Sequence, residues 1–323
     1  MRRSKWWLFV VLTVCWGSGA AFGASRLPVT VRGDAIYIGD SVVISFQRTL
    51  RVPDDGRRWD LPPGLGRFPI RRVDDYASRV PASWRRQGGV IIPMYQREAL
   101  WIDFRSSQGP AAVKVAAGMI NALTGDSWSD RLSPRQDYLV VPDQPWLDGF
   151  NTGRGAVRQF VAMPLGSGGT VEGQLTGQER YGGIQIMVYP AKEFWRDRFG
   201  EQGKGSSLGS AQGSPGMGLG EGGKISQRIA EDSYGYDTWD QRRPGRIYVH
   251  IVNGRLWRAI TGEPLPPTPI RFETYQQYHF PWSDIFDEGD EGWGSGAPAP
   301  KPKGWTYDRV PVDDDDLVRD GDW

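Results

Sequence analysis

The chain has one cysteine and two histidines in 323 residues. Cys15 lies in the first apolar run, so everything after it is free of thiols. Disulfide staples and thiol chemistry are thereby excluded from the remainder. His250 and His279 are too few, without cysteine partners, for a histidine–cysteine zinc site. Neither sits beside a Gly-x-Ser-x-Gly elbow in the sequence. Charge of one sign is also missing: 39 basic residues stand against 38 acidic ones. Such a balance leaves no electrostatic footprint for nucleic acid. No uncharged apolar run reaches the roughly 20 residues needed to span a bilayer core.

What is present begins with an export pattern. Met1 to Lys5 is basic, residues 6–16 are uncharged and apolar, and small residues follow through Ala24. This is the layout of a secretory signal, with cleavage expected near Gly23-Ala24, so residues 1–23 read as signal peptide. A buried N-terminal helix is the plainer alternative. Arg2-Arg3 lacks the apolar continuation of a twin-arginine signal. Leu12-Thr13-Val14-Cys15 is only a loose lipidation box, with Val14 a poor residue before a lipidated cysteine. Loss of Arg2, Arg3 and Lys5 takes three cations from 39, leaving 36 against 38 acidic residues and a net charge of −2. The expected location is secreted or periplasmic, with no transmembrane segment in the mature chain.

From Leu27 onward the apolar period is two, which predicts strands. Val29 and Val31, then Ile36 and Ile38, flank the turn Arg32-Gly33-Asp34-Ala35 as a hairpin. Its Arg-Gly-Asp matches an integrin-recognised tripeptide but reads as a turn first. Further strands are expected at 42–50, 90–92, 99–104, 138–141, 157–163, 170–176 and 183–189, with glycine or proline turns between them. A short helix is plausible within 73–86, broken at Pro81. Residues 111–123 fit both periods; Gly109-Pro110 and Gly118 favour a strand, returning along residues 100–104. Asn253-Gly254 between residues 247–252 and 255–261 reads as the turn of a second hairpin. The 61–66 stretch, with Pro62 and Pro63, reads as loop.

The fold expected is mainly β, an antiparallel sandwich or jelly-roll with few short helices. A single domain over 24–288 would carry a Gly/Ser-rich insertion at 200–223, with order resuming at Lys224. The acidic, Pro/Gly-rich tail at 289–323 reads as disordered.

Candidate chemistry is sparse. Glu172 and Glu179 fall on two expected neighbouring strands, and paired carboxylates serve glycoside cleavage. A solvent-facing strand surface is the plainer reading of both. Asp284, Asp287 and Glu288 belong to an acidic cluster with oxygen ligands for a hard cation, in no EF-hand spacing. Trp146 and Trp282, each beside a proline, suit stacking on sugar rings or pinning of loops. A pocket collecting Glu98, Asp103, Glu172, Glu179 or His250 would be the most telling arrangement, although His250 between apolar neighbours reads as a core histidine. Gly216-Met217-Gly218-Leu219-Gly220 imitates a phosphate loop in letters only, since no strand is expected before it. No cofactor is called for.

Several strings carry a family resemblance. They are Arg48-Thr49-Leu50-Arg51-Val52-Pro53-Asp54-Asp55-Gly56, Leu61-Pro62-Pro63-Gly64-Leu65-Gly66, Pro93-Met94-Tyr95-Gln96-Arg97-Glu98-Ala99, Gln144-Pro145-Trp146-Leu147-Asp148-Gly149, Gly182-Gly183-Ile184-Gln185 and His250-Ile251-Val252-Asn253. Together they resemble a family of uncharacterised microbial proteins over roughly residues 46–286. The family has no assigned activity, so the resemblance implies no catalytic residue. It does imply that residues 247–261 belong to the same unit as the first half, with the glycine-rich segment a surface insertion.

The function expected is therefore an exported, non-enzymatic β-sandwich that binds a glycan or cell-surface component. A secreted carbohydrate hydrolase using Glu172 and Glu179, and a self-associating envelope protein, are the alternatives.

Overall fold

The structure, a computed structural model, describes residues 26–106, 108–195, 217–264, 272–279, 318 and 321. The expected signal segment, residues 200–216 of the expected insertion, Trp282 and the acidic residues Asp284, Asp287 and Glu288 lie outside these.

Seventeen strands join in one hydrogen-bonded network that folds back on itself as two facing halves. The first half follows the order β1 (Val29–Arg32), β2 (Ala35–Ile38), β3 (Val42–Thr49), β8 (Ala99–Ser106), β14 (Ala156–Pro164) and β16 (Met217–Ile225), all antiparallel. Short strands extend it: β4 (Arg58–Trp59) on β16, β5 (Gly64–Arg67) on β3, β12 (Trp146–Leu147) on β8 and β13 (Gly149–Gly153) on β14. The second half runs β6 (Arg71–Arg72), β7 (Val90–Pro93), β17 (Gly245–Val252), β15 (Ile184–Pro190) and β9 (Ala111–Ala117). Both β11 (Leu139–Val141) and β10 (Ile120–Asn121) pair with β9. Met217 opposite Ile251 stitches the halves together. Among the described residues, only β7–β17 and β4–β16 are parallel.

Alternation explains why the halves face each other. Ile44 and Phe46 on β3, Leu100, Ile102 and Phe104 on β8 and Phe160 on β14 point inward from the first half. They meet Val113 and Val115 on β9, Ile184, Ile186 and Val188 on β15, and Ile247, Val249 and Ile251 on β17. Each such side chain contributes about 1.5–3 kcal/mol when fully buried. The opposite face of the second half is covered too. Tyr138, Met187, Tyr189 and Trp239 form one apolar layer; Val73, Val80, Ile91, Trp257 and Ile260 form another. The mainly antiparallel, sandwich-like expectation is met. Among the described residues no helix is long and apolar enough to cross a membrane.

The first hairpin forms as the sequence predicts, with Gly33 at φ +57° in its turn. Residues 111–117 are a strand, but their partners are β15 and β11 rather than residues 100–104.

Four further expectations are overturned. The loop expected at 61–66 gives way at Gly64, where β5 begins and pairs with the end of β3. The short helix expected within 73–86 is α1 (Ala82–Gln87), but residues 170–176 are not a strand: Val171–Thr176 is helix α2, because Thr170 caps it by accepting from the Gly173 N–H and Gly177 closes it at φ +71°. Asn253-Gly254 is not a hairpin turn. Asn253 sits at φ −81° and accepts from the Leu256 N–H at 2.7 Å, capping a helix over Gly254–Thr261. Trp257 and Ile260, three apart, then face one apolar layer, the helical rather than the strand period. Nor does order resume at Lys224, since β16 starts at Met217 and pairs with β14 along most of its length. Its glycines answer to close packing, not flexibility. A Cβ on Gly220 would sit 2.5 Å from the Gly169 carbonyl and 2.6 Å from Met163.

Beyond residue 288, Val318 is buried in the main core and donates its N–H to Val29 O at 2.8 Å. Residues 245–252 pair with β7, from the early part of the chain, as well as with β15.

Candidate functional site

At one end of the second half a cleft of about 360 Å³ opens between two walls. The first wall is the β9–β10 turn, Gly118-Met119-Ile120, with Ser127 and Trp128 beside it. Gly118 and Met119 both take positive φ, +56° and +62°, which turns the chain sharply. Trp128 is held to this turn by its N–H on Met119 O, and its indole donates to Asp130. The Lys114 ammonium lies 5.4 Å from the Trp128 ring and is paired with Asp137 at 2.7 Å. The second wall is the end of α2 and the loop that follows it, with Thr176, Gln178, Arg180 and Tyr181.

The walls are fixed from beneath. Glu172, on α2 and 3% exposed, turns its carboxylate under the second wall. Its Oε1 accepts from the N–H groups of Arg180 (2.7 Å) and Tyr181 (3.0 Å), and Oε2 from Tyr181 (3.2 Å) and Gly182 (2.9 Å). Gln185, fully buried on β15, ties the two walls together. Its Oε1 accepts from Met119 N–H at 2.8 Å and its Nε2 donates to Gly182 O at 2.8 Å. The Tyr248 hydroxyl donates to Tyr181 O at 2.7 Å. Behind it, His250 stacks between the rings of Tyr248 and Trp84, centroids 4.5 and 4.3 Å away. A site held this way needs little ordering when a ligand arrives.

Glu179 grips a different loop. It accepts from the N–H groups of Gly166, Gly168 and Thr170 and from the Thr170 hydroxyl. Desolvation, the largest single effect, acts to raise its carboxyl, but those four hydrogen bonds together outweigh it and hold the group below the usual range. The two glutamates thus do not form an acid and base on adjacent strands. Each satisfies backbone donors that a turn leaves open.

The other candidates are dispersed. Glu98 is sealed in the sandwich interior with Arg48, beside the rings of Phe68 and Tyr95. Burial pushes its carboxyl up to about 8, opposed by the arginine. Asp103 lies between Ser45 and Arg105, each donating at 3.0 Å. His250 is buried as the sequence suggests, 3.0 Å from Gly88 O, and burial pushes it down to about 3. His279 takes φ +58° on an exposed turn. Trp146 is 36% exposed on β12 and does not line the cleft. Among the described residues no three His, Cys, Asp or Glu side chains gather as a metal site requires.

The cleft residues Trp128, Gln178, Arg180 and Tyr181 escape a reading by motif, because they come from two loops distant in sequence. The available signals are weak: the left-handed Gly118-Met119 turn, and the Gly182-Gly183 pair that lets β15 begin tight against β17. A Cβ on Gly183 would run into Val249 O. Comparisons with protein-family models, curated proteins and solved structures give no match.

Proposed function

We propose that this protein is an exported, non-enzymatic β-sandwich whose cleft binds a glycan. The carrying observation is the cleft itself: a pre-formed hollow of about 360 Å³ with Trp128 and Ser127 on one wall and Gln178, Arg180 and Tyr181 on the other. Aromatic faces with a few placed hydrogen-bonding groups suit a sugar ring, which presents C–H faces and a rim of hydroxyls. Glu172 lies at the cleft, but its four close N–H contacts occupy the carboxylate and leave it a framing group, not a nucleophile or proton donor. Export rests on the pattern of residues 1–24, which supports delivery to where cell-surface glycans are met.

The test is a glycan array probed with the mature protein and with Trp128→Ala. We expect selective retention of some glycans by the wild type, reduced at least tenfold in the variant. Trp146→Ala, outside the cleft, serves as control and retains binding. Absence of retention on the array, with hydrolytic turnover of any arrayed glycan, would overturn the reading in favour of an enzyme.

A further inference from the structure

The charge of the ligand can be taken further, on the assumption that the glycan reading of the cleft holds. Only two lining residues carry full charges, Glu172 and Arg180. A carboxylate has about four lone-pair sites. Those of Glu172 meet four N–H contacts from three consecutive residues of the second wall, so it offers an incoming sugar nothing to donate to.

Arg180 is placed the other way. Its backbone N–H makes the shortest of those contacts, 2.7 Å, which fixes the root of the side chain on the wall. The side chain itself is exposed and, among the described residues, forms no ion pair. Lys114, 5.4 Å from the Trp128 ring, is 1% exposed and engaged with Asp137 and the Arg131 carbonyl. Thr176 is likewise committed, donating to Glu172 O and accepting from Gln178 N–H. The remaining groups that reach the cleft are therefore rich in donors, with a five-donor guanidinium fork among them. That fork matches a carboxylate in bidentate geometry. Trp128 and Tyr181 supply the faces for the ring that carries it.

We propose that the cleft selects a carboxylated saccharide, of the uronic-acid class, and that Arg180 is the residue that sets this preference. The ring stacks between the aromatic walls, and its carboxylate lies against Arg180.

A pair of probes differing only in that charge tests it: tetragalacturonate and its fully methyl-esterified form, titrated calorimetrically at fixed ionic strength. The wild type is expected to bind the acid at least tenfold more tightly than the ester. Arg180→Gln should bring the two affinities within about twofold by weakening the acid alone, and Arg180→Lys should keep part of the preference. Circular dichroism and the melting temperature show that each variant is folded. Equal affinity of the wild type for acid and ester, or an unchanged ratio in Arg180→Gln, overturns the role of Arg180 while leaving the glycan site standing. Binding of neutral array glycans with none of either tetrasaccharide also overturns it. Failure of every glycan, with no effect of Trp128→Ala, overturns the underlying reading instead.

Discussion

Asp148 offers the sharpest test of how this fold handles buried charge. It joins β12 to β13 and is 1% exposed. Its backbone is satisfied, donating to Gln227 Oε1 at 3.0 Å and accepting from Phe160 N–H at 2.9 Å. Its carboxyl is not: neither oxygen has a hydrogen bond of normal geometry among the described residues, and the nearby Trp146 indole opposes the effect of burial only weakly. Desolvation pushes the group from 3.8 up to about 8. The folded protein thus keeps this proton to about pH 8, while the unfolded chain releases it near 3.8. Between those values the folded state binds more protons, so stability falls as pH rises. Each pH unit in that window removes about 1.4 kcal/mol, and a window of about four units sets a ceiling of roughly 6 kcal/mol. Relaxation and water entry around a buried charge lower that ceiling, so we expect Asp148→Asn to exceed the wild type by ~2–4 kcal/mol at pH 8. Near pH 4, where the unfolded chain still holds roughly half of this proton, the advantage should shrink below about 1 kcal/mol. Urea unfolding of both proteins at several pH values between 4.5 and 8 measures it. The raised Glu98 is common to both proteins and cancels in the difference. A gap that stays constant across this range would refute the reasoning, because an amide that merely packs better has no pH dependence.

Three further outcomes follow from the same physics. His250 is pushed down to about 3 by burial, so between there and 6.5 the unfolded state binds the extra proton and stability falls as pH drops. His250→Phe keeps a ring between Trp84 and Tyr248, and its denaturant midpoint should vary less between pH 6.5 and 4 than that of the wild type. Asn253→Ala removes the cap of the Gly254–Thr261 helix and should cost about 1 kcal/mol, against a few tenths for Asn253→Gly; differential scanning calorimetry reads both. Gly220→Ala places a methyl against Gly169 O and Met163 and should cost roughly 1–3 kcal/mol in chemical denaturation, where a residue in a loose connector would cost nothing.

The strands that read clearly in the sequence were those whose alternation is enforced by a core on one side. Residues 42–49 and 99–106 show it, since Ile44, Phe46, Leu100, Ile102 and Phe104 all enter one interior. Where composition and packing diverge, the sequence misleads. β16 is a strand with glycines at 218, 220, 222 and 223, and glycine weakens a strand in isolation. Here the crowding of Met163, Val161, Thr170 and the Pro53 carbonyl selects it, and those neighbours are set by tertiary structure. Asn-Gly fails for a related reason. The pair suits a left-handed turn, but asparagine is equally suited to capping a helix. The choice falls to the Trp257–Ile260 spacing downstream.

The cleft shows how a residue type can be noticed and its role misread. Glu172 and Glu179 attract attention as carboxylates flanking a turn, and sequence proximity suggests a pair. In the fold, an unexpected helix intervenes, and each carboxylate meets the nearest set of unpaired backbone N–H groups: residues 180–182 for Glu172 and 166–170 for Glu179. Carboxylates take such positions because a buried N–H without an acceptor is costly, and a charged acceptor repays it better than a neutral one. That same use turns the Glu172 carboxylate onto backbone N–H groups instead of the open cleft. A glutamate presented to the solvent there would repel an acidic ligand; one folded under the loop positions Arg180 instead. The chemical character of the cleft thus depends less on which ionisable residues line it than on which of them the backbone has already claimed.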